Sequence, residues 1–430
     1  MYFLLYFGGR MKRPLLVFLV LILCSLGYFL QAQPPILFPG KAAKKSSNKY
    51  SSNLIYNVLK NSQDSLLRSL ADTPSRWDIQ VIYTPVKKNG KRPSQFRDYQ
   101  FNVDADRYHY PASTVKLPIA ILALQRLREL SIPGLDRNST LITQKERPLQ
   151  TEVYNDPTSA DGRPTIAHYI KKILLVSDND AYNRLYEWLG QDYINESLHR
   201  LGYSNTAILH RLSLPLSTEE NRYTNPVLFY DSLGQLLYKQ EGSLAQFRPR
   251  PWSVKMGKGY MSRGLLVEEP FDFSFKNRLP LTDLHHMIRQ IMFPSSVPEN
   301  RRFLLTEDDL LFLRDYMSRL PSQSDYPSYD SAEIGDNYVK FLYYGSAPGK
   351  PDSMLRIYNK VGNAYGFLID AACFEDLRIR KKYLLSAVIY CNSDGIFNDD
   401  RYDYDSVGYP FMKALGRAIN EAAGRFRSSQ

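Results

Sequence analysis

The chain reads YPASTVKLPIAIL from Tyr110 to Leu122. Ser113 and Lys116 stand three residues apart in this stretch, so a helix would bring the hydroxyl and the amine to one face, within mutual reach. A serine hydroxyl becomes a nucleophile when a neighbouring group accepts its proton, and burial among apolar residues lowers the pKa of a lysine toward that role. The stretch therefore predicts a nucleophile beside its base at the start of a buried helix.

The same spacing separates Ser46 from Lys49, where no apolar run follows, so the spacing alone is not diagnostic. Two further motifs give it a context. Ser177-Asp178-Asn179 ends an apolar run, and by itself it has the composition of a turn or a helix N-cap. Lys360-Val361-Gly362 lies between two strand-like runs, where a glycine would let a bound substrate approach the backbone. Lys255-Met256-Gly257 has a similar pattern but is not followed by a pair of strands.

In this order the three motifs resemble the Ser-x-x-Lys, Ser-Asp-Asn and Lys-Thr-Gly set of the serine-active, penicillin-recognising enzymes, with the class A β-lactamases as the nearest branch. The resemblance covers roughly residues 51–238 and 336–423. It implies that Ser113 is the acylated nucleophile, that Lys116 accepts its proton, and that Ser177 relays a proton toward the leaving nitrogen. It implies neither a metal nor a cofactor.

Substrate binding is assigned by the same resemblance to a second group of residues. Asn179 would contact the catalytic lysine and the substrate amide, and Lys360 would support the relay and attract an anionic substrate group. Gly362 would leave space for the substrate beside the strand. The backbone N–H groups of Ser113 and Asn363 would form the oxyanion hole.

Two departures from the family pattern bear on turnover. Val361 stands where the family has a threonine or serine whose hydroxyl binds the substrate carboxylate. The deacylating glutamate of class A enzymes follows an arginine by two residues, but here Ser213 has that position after Arg211. Glu219 and Glu220 come later, and they either take the role or face solvent. Without a base to activate water, an acyl-enzyme would form and persist, as in penicillin-binding proteins.

The predicted elements suggest a helical lobe inserted into a sheet. The expected fold class is α/β (α+β), β-lactamase/transpeptidase-like, with an antiparallel sheet flanked by terminal helices plus an inserted all-helical lobe. Strands are expected early and then only near the end of the chain. Hydrophobic spacing predicts helices at 51–70, 114–130, within 165–201, at 282–292, 306–320 and 409–423, and strands at 77–84, 96–103, 355–359, 366–374 and 383–391.

The N-terminus has the pattern of an export signal, with Lys12-Arg13 before an apolar run from Leu15 to Leu30. Residues 1–32 are predicted to be a signal peptide or an N-terminal anchor, because the run is borderline in length between the two. A basic Ser/Lys linker (33–50) and a single serine-hydrolase domain of two lobes (51–430) would follow, in the periplasm or cell envelope. An insertion at about 239–276 either reshapes the substrate cleft or covers one lobe.

The composition is that of a folded globular protein, with 43% hydrophobic and 23% charged residues. The formal net charge is +11, but the basic clusters indicate a linker and turns, so no nucleic-acid surface is predicted. Cys373 and Cys391 are expected to be free, buried thiols. His285 and His286 point apart on a helix and are interpreted as a solvated pair rather than a metal site.

The sequence thus predicts an exported serine hydrolase that transfers acyl groups through Ser113. Its substrate would be a small β-lactam or a peptidoglycan-derived peptide, amide or ester. A second hypothesis stays open, in which the chain is a catalytically weak or inactive envelope binding protein on the same fold. The oligomeric state is not predicted.

Overall fold

The computed structural model describes residues 51–89 and 92–425. The predicted signal or anchor (1–32) and the basic linker (33–50) lie outside the described residues. Across the two described ranges, no helix has both the length and the apolar character needed to cross a membrane.

The α-helices follow the predicted order along the chain. They are α1 (Ser51–Lys60), α2 (Ser65–Asp72), α3 (Lys116–Leu130), α4 (Ile166–Val176), α5 (Asn179–Arg200, interrupted at Gly190), α6 (Leu281–Met292), α7 (Glu307–Ser318) and α8 (Tyr409–Arg425).

The strands are long at the two ends of the chain and short between them. They are β1 (Gln80–Asn89), β2 (Arg92–Phe96), β3 (Tyr99–Phe101), β4 (Thr140–Thr143), β5 (Val227–Tyr230), β6 (Leu236–Gln240), β7 (Lys255–Met256), β8 (Gly259–Ser262), β9 (Leu265–Val267), β10 (Phe271–Asp272), β11 (Leu355–Ala364), β12 (Phe367–Asp376), β13 (Lys381–Tyr390) and β14 (Ile396–Phe397).

The main sheet is antiparallel and orders its strands β11-β12-β13-β1-β2, with β3 also pairing with β1. The strand β12, which lies between β11 and β13, is buried on both faces. Ile369 and Ala371 pack in the core formed with α3 to α7, whereas Leu368 and Ala372 pack in the core formed with α1, α2 and α8. A strand covered on both faces has a nearly continuous apolar sequence, as β12 does. The predicted fold class is confirmed.

Helix α3 lies at the centre of the helical lobe. Every residue from Lys116 to Gln125 is buried, as its apolar sequence predicts, and α4 and α5 pack against it. Asp178 caps the start of α5 by accepting a hydrogen bond from the Ala181 N–H at 2.8 Å. The same cap fixes the Ser177-Asp178-Asn179 turn beside the start of α3.

Three sequence-based expectations need correction. The helix predicted over 51–70 is two helices, because Asp64 caps a second helix and accepts from the Leu67 N–H at 3.0 Å. The expectation that strands return only near the end of the chain is wrong. Strands β4, β5 and β6 form an antiparallel sheet at the edge of the helical lobe, and β7 to β10 lie within the predicted insertion.

The prediction of a solvated histidine pair is also wrong. His285 is buried where α6 meets the main sheet, and its ring nitrogens lie 2.9 Å from Thr84 Oγ1 and 2.8 Å from Ser386 Oγ. Burial lowers the pKa of His285 to about 4, so the ring is neutral in the folded protein near neutral pH. His286 is half-buried beside Arg289.

Thr306 and Asp309 form a capping box at the start of α7. The prediction of free, buried thiols is confirmed. Cys373 and Cys391 are buried and free, and burial raises the pKa of the Cys373 thiol to about 12.

Candidate active site

Ser113 lies in a short 3₁₀ turn, Ala112–Val115, that leads directly into α3. The turn begins with Ala112 at φ 47°, in the left-handed region that residues with a Cβ seldom adopt. The Thr114 hydroxyl closes the turn by donating to the Pro111 carbonyl at 2.6 Å. Local strain of this kind recurs at functional sites, where the surrounding structure holds it in place.

Lys116 is the first residue of α3, and its side chain is fully buried beneath Ser113. The Lys116 Nζ lies 2.9 Å from Ser113 Oγ and 2.7 Å from Asn179 Oδ1, and it also contacts the Ser177 carbonyl. Burial lowers the pKa of Lys116 to about 7, while the negative charge of Asp178 opposes that shift. A substantial fraction of this amine is therefore neutral near pH 7 and able to accept the Ser113 proton.

The Ser177 hydroxyl joins two lysines. Its Oγ lies 3.2 Å from Lys116 Nζ and 2.8 Å from Lys360 Nζ. Ser177 ends α4 with φ 62°, a left-handed conformation that turns the side chain toward the start of α3. Burial, followed by the charge of Lys116, lowers the pKa of Lys360 well below its ordinary value. The hydroxyl is thus placed to pass a proton between two amines of lowered basicity.

Gly362 lies on β11, the edge strand of the main sheet, where that strand passes the Ser113 turn. A Cβ at this position would lie 2.8 Å from the Pro111 carbonyl oxygen, 2.9 Å from Ser113 N and 3.0 Å from Thr114 N. The reason for the glycine therefore differs from the predicted one. Space is needed for the backbone of the nucleophile turn rather than for a substrate.

Asn363 follows on the same strand, is exposed, and lines the same cavity as Ser113. Val361 is 3% exposed and packs in the core with α8, so it does not line that cavity. The valine is accounted for by this packing, and a threonine there would bury a hydroxyl in an apolar core.

A buried polar network behind β11 was not predicted from the sequence. Lys340 Nζ donates to Asn359 Oδ1 at 2.6 Å and to the carbonyls of Ile357 and Met317, each at 2.9 Å. Asn359 Nδ2 in turn donates to Asp370 Oδ1 at 2.9 Å. Burial lowers the pKa of Lys340 to about 8 and raises that of Asp370 to about 6. The network therefore forms hydrogen bonds with β11, the edge strand that carries Lys360, on the side where it has no neighbouring strand.

The loop after α5 brings Ser213 into the site. Its Oγ accepts a hydrogen bond from Asn179 Nδ2 at 2.8 Å, with the Ser213 backbone at φ 56°. The base of the loop is held by Arg211, whose Nε donates to the buried Glu187 carboxylate at 2.9 Å. Ser213 therefore has a hydroxyl at the position where the resemblance predicts a carboxylate.

Glu219 and Glu220 lie elsewhere in the loop. Glu219 pairs with Arg222 at 3.1 Å and its side chain is exposed, while Glu220 pairs with Arg147 at 3.0 Å. Neither glutamate lines the cavity beside Ser113. Of the two alternatives left open, the solvent-facing one describes Glu219, whereas Glu220 is half-buried in its ion pair, and neither lies where it could activate water beside Ser113.

The cavity beside Ser113 has a volume of about 430 Å³, within the range of small-molecule sites. One wall comes from a loop near the chain's end that was not singled out in the sequence. The lining residues are Tyr110, Ala112, Ser113, Asn179, Leu212, Ser213, Asn363, Ala364, Tyr365, Asn398, Asp400, Tyr402 and Tyr404.

The predicted insertion packs behind that wall without lining the cavity. Its strand β8 pairs in parallel with β14, which joins the insertion to the loop that carries Asn398 and Asp400. Its Phe271 and Phe273 rings each lie 5.5 Å from the Tyr365 ring between centroids. The insertion thus supports a cavity-lining tyrosine from behind and does not itself line the cavity.

No metal or cofactor was predicted for this chain. Among residues 51–89 and 92–425, no cluster of three or more histidine, cysteine, aspartate or glutamate side chains is arranged to hold a metal ion.

Comparison with known proteins gives one family match. Residues 94–245 match the model of the "Beta-lactamase enzyme family", a segment that includes Ser113, Lys116 and Ser177. A search of curated proteins finds no match.

Similar solved structures were also found. A β-lactamase from Sphaerobacter thermophilus is 14% identical, covers 81% of this chain and 93% of its own, and has a TM-score of 0.41. An acyl-enzyme complex of PBP-A with penicillin G is 13% identical, with coverages of 87% and 97% and a TM-score of 0.46. A class A β-lactamase from Clostridium kluyveri is 15% identical, with coverages of 82% and 97% and a TM-score of 0.44.

Proposed function

We propose that this chain, whose residues 94–245 match the β-lactamase enzyme family and whose motifs resemble that family, is an exported serine hydrolase of the β-lactamase-like superfamily. Ser113 forms an acyl-enzyme with β-lactams or with related cell-wall peptide, amide or ester substrates. One observation supports this most directly. The Lys116 amine, with its pKa lowered to about 7 by burial, lies 2.9 Å from Ser113 Oγ. Nucleophile and base are therefore within proton-transfer distance.

Acylation combines the attack of Ser113 on the substrate with proton transfers through Lys116 and Ser177. Neutral Lys116 takes the Ser113 proton as Oγ bonds to the substrate carbonyl carbon, and the carbonyl oxygen becomes an oxyanion. The backbone N–H groups of Ser113 and Asn363 stabilise that charge. As the carbon–nitrogen bond breaks, the Ser177 hydroxyl gives its proton to the leaving nitrogen and regains one from the Lys116 ammonium. Lys360, 2.8 Å from Ser177 Oγ, orients the hydroxyl for this transfer.

Deacylation is the slow half of the proposed reaction. Release of the acyl group needs a base that removes a proton from the attacking water. The residue near Asn179 that would take this part is Ser213, which is a poor base, and Glu219 and Glu220 are engaged elsewhere. We therefore expect an acyl-enzyme that accumulates, as the resemblance to penicillin-binding proteins implies.

Export rests on the N-terminal sequence alone. Lys12-Arg13 and the apolar run from Leu15 to Leu30 would direct residues 51–430 to the periplasm or cell envelope, by a cleaved signal or an uncleaved anchor. Fractionation of cells expressing the full chain tests this directly. Recovery of the protein in the cytoplasmic fraction at full length would refute export.

The function is tested by intact-mass analysis of residues 51–430 after incubation with a fluorescent penicillin and, separately, with a phosphonate serine probe. We expect one stable adduct, lost in Ser113→Ala and kept in the control Ser65→Ala, which changes an exposed serine at a helix start. Consumption of the penicillin without an adduct would show efficient turnover and refute the slow deacylation. No adduct and no consumption would refute the hydrolase and favour the envelope binding protein.

A further inference from the structure

The lining of the cavity beside Ser113 contains one charged side chain. This is Asp400, the one carboxylate among the lining residues, and it lies on the loop near the end of the chain. Lys116 and Lys360 are buried beside Ser113 and Ser177 and do not line the cavity. A ligand with a cationic group near Asp400 therefore matches the charge of the cavity wall.

Asp400 is free to bind a ligand, unlike its acidic neighbours. The Asp399 carboxylate accepts the Arg401 N–H at 3.1 Å, and the Asp403 carboxylate accepts the Ser393 N–H at 2.9 Å. Within the part of the chain that the structure describes, the Asp400 carboxylate has neither a hydrogen bond nor an ion pair. It is exposed and stands at the wall of a cavity that contains a nucleophile.

The loop around Asp400 is held in position by tyrosine hydroxyls. Tyr402 Oη accepts the Asn398 N–H at 2.9 Å, and Tyr404 Oη accepts the Gly366 N–H at 2.9 Å. Asn398 and Asp400 both have left-handed backbones, at φ 59° and 60°. These bonds fix the loop, so the carboxylate is presented without a large ordering cost.

The chemistry of this wall is that of an ammonium site. Tyr365, Tyr402 and Tyr404 line the cavity together with the carboxylate. Aromatic faces attract cations through the ring quadrupole, and a carboxylate forms charge-assisted hydrogen bonds with an ammonium group. Apolar acyl groups would use the rings but would leave Asp400 without a partner.

We propose that Asp400 and the tyrosines around it bind a primary ammonium group of the acyl donor, so that the preferred substrates carry an amine on the acyl side. These are amine-bearing peptides or β-lactams. The inference rests on the proposed acylation of Ser113 and adds a substrate class to it.

The test compares acylation by ampicillin and by penicillin G, which differ by one amino group on the acyl side chain. Second-order acylation rates are measured for residues 51–430 and for Asp400→Asn and Asp399→Asn. The second variant is the matched control, because it removes a neighbouring carboxylate that does not line the cavity. We expect the ampicillin-to-penicillin G rate ratio to fall about three- to tenfold in Asp400→Asn and to stay unchanged in Asp399→Asn.

The two proposals fail in different ways. A rate ratio that is equal in the parent protein and both variants, with Ser113 acylated in each, overturns the ammonium site and leaves the hydrolase standing. If neither penicillin acylates the protein, both the proposed function and this inference are refuted. A ratio that falls equally in both variants also overturns the site, because it would reflect general charge rather than a cavity contact.

Discussion

Replacing Gly362 by alanine adds one methyl group where the edge strand touches the nucleophile turn. The three nearest atoms, at 2.8, 2.9 and 3.0 Å, are all backbone atoms of residues 111–114, whereas ordinary contact begins at 3.4 Å. No side chain can move aside to relieve the overlap, so strand and turn must separate by several tenths of an ångström. Overpacking of this kind costs about 1–3 kcal/mol of stability.

The same displacement moves Ser113 relative to its base. The Ser113 Oγ to Lys116 Nζ distance is now 2.9 Å, and a misplacement approaching one ångström reduces a rate by about 10²-fold. We therefore expect Gly362→Ala to acylate about 10- to 100-fold more slowly with a fluorescent penicillin. The free energy of unfolding, measured by denaturant titration, should fall by about 1–3 kcal/mol.

The matched control is Gly335→Ala, where the added Cβ meets no atom within 4 Å. It should match the parent protein in both assays. Parent-like stability together with parent-like acylation in Gly362→Ala would refute the reasoning, since it would mean that strand and turn accommodate a Cβ at no cost and without moving Ser113. Loss of stability with an unchanged acylation rate would separate packing from positioning and refute the second step alone.

The remaining predictions concern the pKa values of Lys116 and His285 and the roles of the loop residues Glu219 and Glu220. Because Lys116 must be neutral to act as base and has a pKa of about 7, the acylation rate should rise with pH through about 7 and then level off. Asp178→Asn keeps a capping side chain but removes the charge that raises this pKa, so the inflexion should move to lower pH; a shift upward would contradict the assignment. Glu219→Gln and Glu220→Gln should leave the lifetime of the acyl-enzyme unchanged in intact-mass time courses, and a lengthened lifetime in either would restore it as a deacylating base. The pKa of His285 is about 4 when folded and 6.5 when unfolded, so its contribution to stability is complete above 6.5 and is lost as pH falls toward 4. In denaturant titrations at several pH values, the free energy of unfolding should depend less on pH in His285→Gln than in the parent protein. An unchanged pH dependence would show that His285 does not contribute to it.

Local pattern predicted the elements with strong periodicity. The helix from Lys116 onward was evident because its apolar sequence has no polar face. Strands β12 and β13 were evident because each is a mainly apolar run. The break between α1 and α2 was missed because hydrophobic spacing continues across it, although Asp64 carries the capping signal. Strands β7 to β10 are two to four residues long, too short for a period to be read.

The burial of His285 could have been predicted from the position of this residue on its helix. Leu281, Leu284, Ile288 and Ile291 form the apolar stripe of α6, and His285 falls on that stripe one residue after Leu284. The adjacency of His285 and His286 argued against a shared ligand site. It did not decide which of the two faces the sheet.

The motif residues of the site were predictable because each sits in a short stretch with its own chemistry. Ser113, Lys116, Ser177 and Lys360 converge in the structure, although their catalytic roles stay predictions until tested. The cavity wall was not predictable in this way. Asp400 comes near Ser113 only through long-range packing, including a two-residue parallel pairing between β14 and β8 that leaves no period in the sequence.

The arrangement of the two buried lysines bears on the choice between enzyme and binding protein. Lys116 and Lys360 approach one hydroxyl, and burial together with mutual repulsion lowers the pKa of Lys360 well below its ordinary value. Removing amines from water next to each other costs stability, and packed apolar side chains would fill the same space at less cost. A binding protein gains nothing from that cost, because recognition of an anion is better served by charged, solvent-accessible groups. An acylating enzyme needs it, because only an amine of lowered basicity can hold and release the Ser113 proton near neutral pH.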